Sequence, residues 1–374
     1  MIHRVRIQNF KSLRDVTVEL SPVTVLIGRS GSGKSNFVQA LRFLRDWLTG
    51  GENPLKDLGG WSYVLCATRP EKSKLTLEVE FDLPGIDGRF RYVIALQELL
   101  QGALSFWGES LAWDDSKLFE QSGGQWTKPP DLVNPPQPGQ ANLGRLYGMR
   151  EVRPAHVVLT KGLGCYDFPG AVLTGGAVTP KTNGLADDAV NYLEVYDGIA
   201  TNLSEYVLIR EMTAALQRLN SSVTSIDLAT DRQHLRVGHQ VGDGKVLDFA
   251  LKQESEGFRR FLAHLLALYQ QPAKQTVVFE EPEKGIYPGA LAVLADTFQS
   301  VADAGRSQVI LTTHSPQLLK HFKHDQIRVV ELDGYDTKIG PLAPEQRAAL
   351  EEQLLTADEL LTVDQARLER SDAQ

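Results

Sequence analysis

The chain has 374 residues, 42% hydrophobic and 23% charged, an ordinary composition for a globular protein with one large or two medium cores. A net charge of −8 excludes a globally basic nucleic-acid binder, so any such contact must be a local patch. Two cysteines, Cys66 and Cys165, exclude a disulfide framework and lack metal-ligand spacing; a cytoplasmic setting is expected, with no membrane span and no signal-peptide core.

Two strands open the chain. Val5 and Ile7 alternate with Arg4 and Arg6, and Val16, Val18 and Leu20 alternate with Thr17 and Glu19. After Pro22, Val23 to Ile27 is a continuous apolar run, the pattern of a strand buried on both faces. Gly28-Arg29-Ser30-Gly31-Ser32-Gly33-Lys34-Ser35 follows and reads G-x-x-x-x-G-K-S. A helix then begins at Asn36, with Phe37, Leu41, Leu44 and Leu48 on one face and Gly50-Gly51 as its stop. This strand–loop–helix setting is what a phosphate-binding loop requires. Glycines let successive N–H groups point at phosphate oxygens, and the helix N-terminus faces the same anion. In that chemistry Lys34 reaches the β- and γ-phosphates and the Ser35 hydroxyl ligates Mg²⁺.

Leu75, Leu77, Val79 and Phe81, then Phe90, Tyr92, Ile94 and Leu96, alternate about a turn at Pro84 to Gly88 and predict an antiparallel hairpin. Leu104–Trp113 adds a further strand to this small inserted β-subdomain. Residues 121–186 predict mostly loop, with five prolines between Pro129 and Pro138 and glycines over 162–184. From Ala186 to about Asn220 the pattern is helical, with a break expected near Asp197-Gly198. Ile226–Leu228 and Leu235–Val237 predict another hairpin, and Gly242–Gly244 a turn.

Three later segments are what a phosphate loop needs as partners. In Glu254-Ser255-Glu256-Gly257, Ser255 and Gly257 stand at the start of a helix carried by Phe258, Phe261, Leu265 and Leu268. Ser255 is a natural N-cap there, and a free helix N-terminus with small residues also suits a γ-phosphate. Thr276–Phe279 is an apolar strand that ends in Glu280-Glu281-Pro282-Glu283. Ligands bind at the carboxyl ends of strands in α/β sheets. One carboxylate there can hold the Mg²⁺ hydration shell, and the next can orient or deprotonate the attacking water. Gln308–Thr313 is a further buried strand, ending in His314-Ser315-Pro316, where His314 can hydrogen-bond a γ-phosphate or the attacking water. Ile327–Leu332 is another strand. From Pro344 on the chain is helical and acidic, with eight acids against three bases, and Leu350, Leu354, Leu360, Leu361 and Leu368 available for packing.

Together, Ile7-Gln8-Asn9-Phe10-Lys11-Ser12-Leu13, Gly33-Lys34-Ser35-Asn36, Glu280-Glu281-Pro282-Glu283 with Pro288, and Thr313-His314-Ser315 resemble the SMC/RecF-like ABC-type ATPases. The likeness is to the branch holding the OLD (overcoming lysogenisation defect) proteins and stand-alone ATPases of bacterial defence. It covers residues 1–60 and 245–335. It implies an α/β P-loop NTPase of ABC-ATPase type: a central, mostly parallel sheet with an antiparallel β-subdomain and a helical insertion. The expected division is ATPase core over 1–60 and 221–342, the β-subdomain over 61–120, an insertion over 121–220 and acidic helices over 343–374.

The resemblance also implies roles. Gly28 to Asn36 form Walker A and bind ATP, with Lys34 catalytic and Ser35 a metal ligand. Ser255 and Gly257 fall on the signature, which in that family completes the ATP site of the opposing subunit. Glu280 (metal) and Glu281 (catalytic) fall on Walker B, and His314 on the switch histidine. The cofactors are ATP and Mg²⁺, and the assembly is a homodimer around two sandwiched ATP molecules. Departures from the family pattern are Arg29 for Pro, Ser30 for Asn, Glu280 for Asp, Tyr287 for His before Pro288, no Leu before the signature and no recognisable glutamine loop; they point to slow hydrolysis. No D-x-D cluster follows Leu332, so no OLD-type nuclease site is expected here. The leading reading is an ATPase that switches a separate effector protein, with a DNA contact, in antiphage defence. The alternatives are a RecF-like repair ATPase, a non-hydrolysing ATP-gated scaffold, and a transporter subunit, against which the Asn9-Phe10-Lys11-Ser12 and Glu280–Glu283 stretches argue.

Overall fold

The computed structural model describes residues 1–50, 54–70, 73–98, 104–129, 141–146, 148–174, 184–202 and 206–369. The chain divides into two compact units. The first comprises Met1–Leu163, His324–Leu355 and Val363–Gln374, and the second Gly164–Lys323 and Thr356–Thr362.

In the first unit, β1 (Ile2–Phe10) and β2 (Leu13–Glu19) form a hairpin. β3 (Val23–Ile27) is buried along its whole length, as its unbroken apolar run requires. The 16-residue helix Lys34–Thr49 follows, entered through left-handed Gly33 and closed by left-handed Gly50. β4 (Leu75–Leu83), β5 (Ile86–Glu98), β6 (Leu104–Trp113), β7 (Ser116–Ser122) and β8 (Gln125–Lys128) are an antiparallel series. β4 alternates strictly between buried and half-exposed residues, so one face is core.

The inserted strands do not make a separate sheet. β4 pairs with β1 (Val5 opposite Val79, Ile7 opposite Leu77), giving a seven-stranded sheet in the order β2-β1-β4-β5-β6-β7-β8. Non-local pairing of this kind leaves no trace in strand periodicity. Glu109 of β6 is buried and accepts from Tyr92 Oη (2.7 Å) and from the N–H groups of Asn142 (2.6 Å) and Leu143 (2.9 Å). Burial pushes its carboxyl pKa up, and these donors oppose the rise.

The stretch read as loop holds regular structure. Besides β8 it has the helices Asn142–Arg145 and Val152–Leu159 and the buried strand β9 (Leu163–Tyr166). Pro154 lies in the first turn of its helix, where the missing N–H costs nothing. Residues 130–138 of the proline run, and the glycine-containing stretch 175–183, lie outside the described residues.

In the second unit, helix Tyr192–Ala200 carries Asp197-Gly198 in its last turn, so the break expected near them falls just after Ala200, before the next helix begins at Tyr206. Burial of Tyr192, Val195, Tyr196 and Ile199 outweighs the helix penalty of one glycine, about 1 kcal/mol. Helix Tyr206–Leu219 follows. The hairpin β10 (Val223–Leu228) and β11 (Leu235–Val241) is extended by β12 (Lys245–Ala250) beyond the 242–244 turn. Helix Glu256–Tyr269 leads to β13 (Thr276–Glu280). Helix Leu291–Asp303 leads to β14 (Gln308–Thr313), parallel to β13. β9 flanks β13.

Back in the first unit, β15 (Ile327–Asp333) pairs in parallel with β3 and antiparallel with β16 (Asp336–Gly340). The α/β fold thus has mixed sheets: β3 with β15 in the first unit and β13 with β14 in the second are parallel pairs, while β15 with β16 and the pairs of the other two sheets are antiparallel. The acidic tail forms helices Pro344–Glu351 and Glu359–Thr362; Leu360 is buried, whereas Leu354 is 77% exposed. Among the described residues no helix is long and apolar enough to cross a membrane.

Candidate functional site

The phosphate-loop candidates lie in the first unit, and the acidic strand end, His314 and the Ser255 turn in the second.

The loop from Gly28 to Ser35 is seated on the β15–β16 hairpin. A Cβ on Gly28 would lie 2.1 Å from the Val330 carbonyl oxygen, and one on Gly33 would lie 2.1 Å from Thr337 Oγ1. Gly33 also has φ +105°, so both conformation and space require glycine. A relay of hydroxyls fixes the seat. Asn36 Nδ2 donates to Ser12 Oγ (2.7 Å), Ser12 Oγ lies 2.6 Å from Thr337 Oγ1, and Thr337 Oγ1 donates to the Ser32 carbonyl (2.8 Å). Asn36 therefore braces the loop through its amide.

Lys34 is only 5% exposed, and its ammonium sits inside the curl, donating to the carbonyls of Gly28 (2.9 Å) and Arg29 (3.0 Å). The Ser32 hydroxyl is buried without a hydrogen-bond partner. Ser35, Ser30 and Gly31 are exposed. Arg29 reaches the C-terminal segment, where its Nη2 donates to Gln365 Oε1 (2.5 Å). An enclosed ammonium, an orphaned hydroxyl and a helix N-terminus fit an anionic phosphate chain.

In the second unit, β13 and β14 are parallel with Glu280 opposite Thr312, so their carboxyl ends coincide. Glu280 ends β13. Glu281 turns away at φ +46°, a left-handed conformation rare outside glycine, and its N–H donates to the Thr312 carbonyl and to Thr312 Oγ1, both at 3.1 Å. Strain held by its surroundings in this way is typical of functional sites. Glu281 Oε1 lies 4.0 Å from His314 Nε2, and its Oε2 lies 3.4 Å from Lys284 Nζ. The side chains of His314 and Glu281 are 33% and 27% exposed, so water reaches both.

Glu283 supplies the bracing that sequence reasoning missed. Its Oε1 accepts from Thr313 Oγ1 (2.7 Å) and from the His314 N–H (3.0 Å), while its Oε2 is buried without a partner. Burial raises its carboxyl pKa, against the lowering effect of those donors. The only sequence signal was a third acid in the Glu280–Glu283 run.

Ser255 caps helix Glu256–Tyr269, its Oγ accepting from the Phe258 N–H at 3.2 Å. A Cβ on Gly257 would stand 2.8 Å from the Gly285 carbonyl oxygen, so the first helical turn packs backbone to backbone on the loop after the acids. Glycine permits that approach.

In the first unit the exposed Ser35 hydroxyl, and in the second the Glu280 carboxylate at the end of β13, are each hard oxygen donors of the type Mg²⁺ takes. Among the described residues no group of three or more His, Cys, Asp or Glu side chains is placed to hold a metal ion.

By architecture the molecule has the α/β fold of an SMC-head-type P-loop domain. The Smc head bound to the C-terminal winged-helix domain of ScpA has a TM-score of 0.59 at 14% identity, over 92% of this chain and 99% of that one. The Smc head with an extended coiled coil bound to the C-terminal domain of ScpA, from Pyrococcus furiosus, gives 0.59 at 13% identity, over 94% and 99%. The SMC head domain from Thermotoga maritima gives 0.50 at 14% identity, over 91% and 98%. At such identities the likeness is one of fold.

Two family descriptions match the sequence itself. Residues 1–88 match an AAA ATPase domain, and residues 182–320 match an AAA domain described as "putative AbiEii toxin, Type IV TA system". The chain thus combines an SMC-head fold with ATPase-type sequence in both of its halves. No curated protein matches it.

Proposed function

We propose that this chain binds and slowly hydrolyses ATP, and that ATP joins two copies head to head. The observation that carries the reading is the meeting of Glu280, Glu281 and His314 at the carboxyl ends of the parallel strands β13 and β14. In each copy Lys34, with the N–H groups of the Gly28–Ser35 loop, binds the phosphates. Ser35 and Glu280 would be the protein ligands of Mg²⁺, which would supply charge neutralisation at the phosphates. Glu281 accepts a proton from the attacking water, and His314 holds the γ-phosphate end of the site. Ser255 and Gly257 of the opposing copy contact the same γ-phosphate, so dimer affinity depends on its presence.

The output is the switching of a separate effector or nucleic-acid complex. A role in antiphage defence, close to the OLD-like ATPases, accords with the match of residues 182–320 to a toxin–antitoxin-associated AAA domain.

Turnover and dimerisation of Glu281→Gln and Lys34→Ala test this. Glu281→Gln should bind ATP, lose turnover and persist as a dimer; Lys34→Ala should lose binding and turnover together. Equal turnover in wild type and Glu281→Gln would remove the hydrolytic assignment. Recovery of neither protein nor DNA on the ATP-locked variant would remove the switching role.

A further inference from the structure

Within the second unit, a chain of polar contacts leads from the three-stranded sheet to the turn that carries Ser255. His239 of β11 is nearly buried, its ring flanked by Phe249 (centroids 5.7 Å) and Phe258 (6.5 Å). Its Nε2 lies 3.0 Å from Glu254 Oε1, and its Nδ1 lies 2.8 Å from Ser222 Oγ. Ser222 Oγ is also 2.9 Å from Asn220 Oδ1, which accepts from the Ser222 backbone N–H at 3.1 Å and is therefore the amide oxygen.

The Glu254 carboxylate can only accept, so the hydrogen of that contact sits on Nε2, and Nδ1 can accept from the Ser222 hydroxyl. The ring thus bridges Ser222 and Glu254 through its two nitrogens.

Glu254 directly precedes Ser255 and is held at three points. Its N–H donates to the Leu251 carbonyl (3.1 Å), its carbonyl accepts from Arg259, and its carboxylate meets His239. The neighbouring charged pair, Arg236 with Asp248 (3.4 Å), is already matched.

We propose that His239 is a positioning residue that, by holding Glu254, fixes the Ser255–Gly257 turn in the conformation that meets the γ-phosphate of an opposing copy. This rests on the reading of Ser255 and Gly257 given above. Without the imidazole, the Glu254 carboxylate loses its only side-chain partner shown at this turn and is drawn to solvent, and the residue before the cap moves with it.

The test uses the full chain in the Glu281→Gln background. Fluorescent-ATP titration reads the phosphate-loop site, and light scattering reads ATP-driven dimerisation. His239→Ala should keep the ATP Kd within about twofold and weaken dimerisation about tenfold. His239→Gln, which keeps one N–H, should restore most of the dimer. The double variant His239→Ala/Glu254→Gln should be no worse than His239→Ala, since both act on one contact.

Mixed dimers with native Glu281 locate the effect. A His239→Ala copy paired with a Lys34→Ala copy should retain turnover, because its loop faces an intact turn. A copy carrying both substitutions, paired with wild type, should have none. Dimerisation of His239→Ala equal to its parent, while Ser255→Arg abolishes it, would overturn the role of His239 alone. Dimerisation that survives Ser255→Arg would overturn the shared-site reading and this inference with it.

Discussion

The backbone N–H of His314 donates to Glu283 Oε1 at 3.0 Å, tying the histidine at the end of β14 to the acidic run after β13. Thr313 Oγ1 donates to the same oxygen. Glu283→Ala would strand both donors, at a cost of about 1–3 kcal/mol, and free His314. A lower melting temperature and faster amide exchange at His314 are expected. Glu283→Gln keeps an acceptor and removes a carboxylate whose pKa burial raises, so its melting temperature at pH 7–8 should match or exceed wild type. The sign follows from the raised pKa, since a carboxyl of this kind loses stability as pH rises through its folded value.

Gly33 and Gly31 separate two causes of loop damage. Both have positive φ, but a Cβ on Gly31 meets nothing within 4 Å, whereas one on Gly33 collides with Thr337 Oγ1. Gly31→Ala should cost only the left-handed strain, about 1–2 kcal/mol, and retain nucleotide affinity. Gly33→Ala should lose it. Nucleotide titration with thermal melts checks the pair, and equal losses would contradict the packing argument.

His264 predicts acid sensitivity. Its ring lies among Phe168, Phe279 and Phe298, and burial lowers its pKa to about 4. The folded protein keeps it neutral while the unfolded chain protonates near pH 6.5, so stability falls as pH drops from about 6.5 to about 4, by up to about 3 kcal/mol. His264→Phe should flatten that part of the melting-temperature profile. An unchanged slope would exclude His264 as its source.

Gln346 should control the segment that meets Arg29. It is 1% exposed, its Nε2 donates to the Gln365 carbonyl (3.1 Å) and Asp364 Oδ2 (3.0 Å), and its Oε1 accepts from the Arg367 N–H (2.8 Å). Gln346→Leu removes all three and leaves the Arg367 donor unpaired, a cost of about 1–3 kcal/mol. Hydrogen exchange should rise over 363–369 and not in helix Lys34–Thr49. A rise spread over the whole first unit would mean global destabilisation instead.

Much of this protein was legible from local pattern. The glycines, Lys34 and Ser35 of the loop lie within eight consecutive residues, so the curl that encloses the Lys34 ammonium was legible from spacing alone. β3, β13 and β14 are buried on both faces and showed as apolar runs, which placed Glu280, Glu281 and His314 at strand ends. Tertiary structure alone decided the rest. The pairing of β4 with β1, the hydroxyl of Thr337 on the Ser32 carbonyl 305 residues away, and the joining of Ser222, His239 and Glu254 are contacts between distant segments. Periodicity records which face of an element is buried. It does not record which partner buries it, and a hydrogen bond between remote side chains leaves no spacing to read.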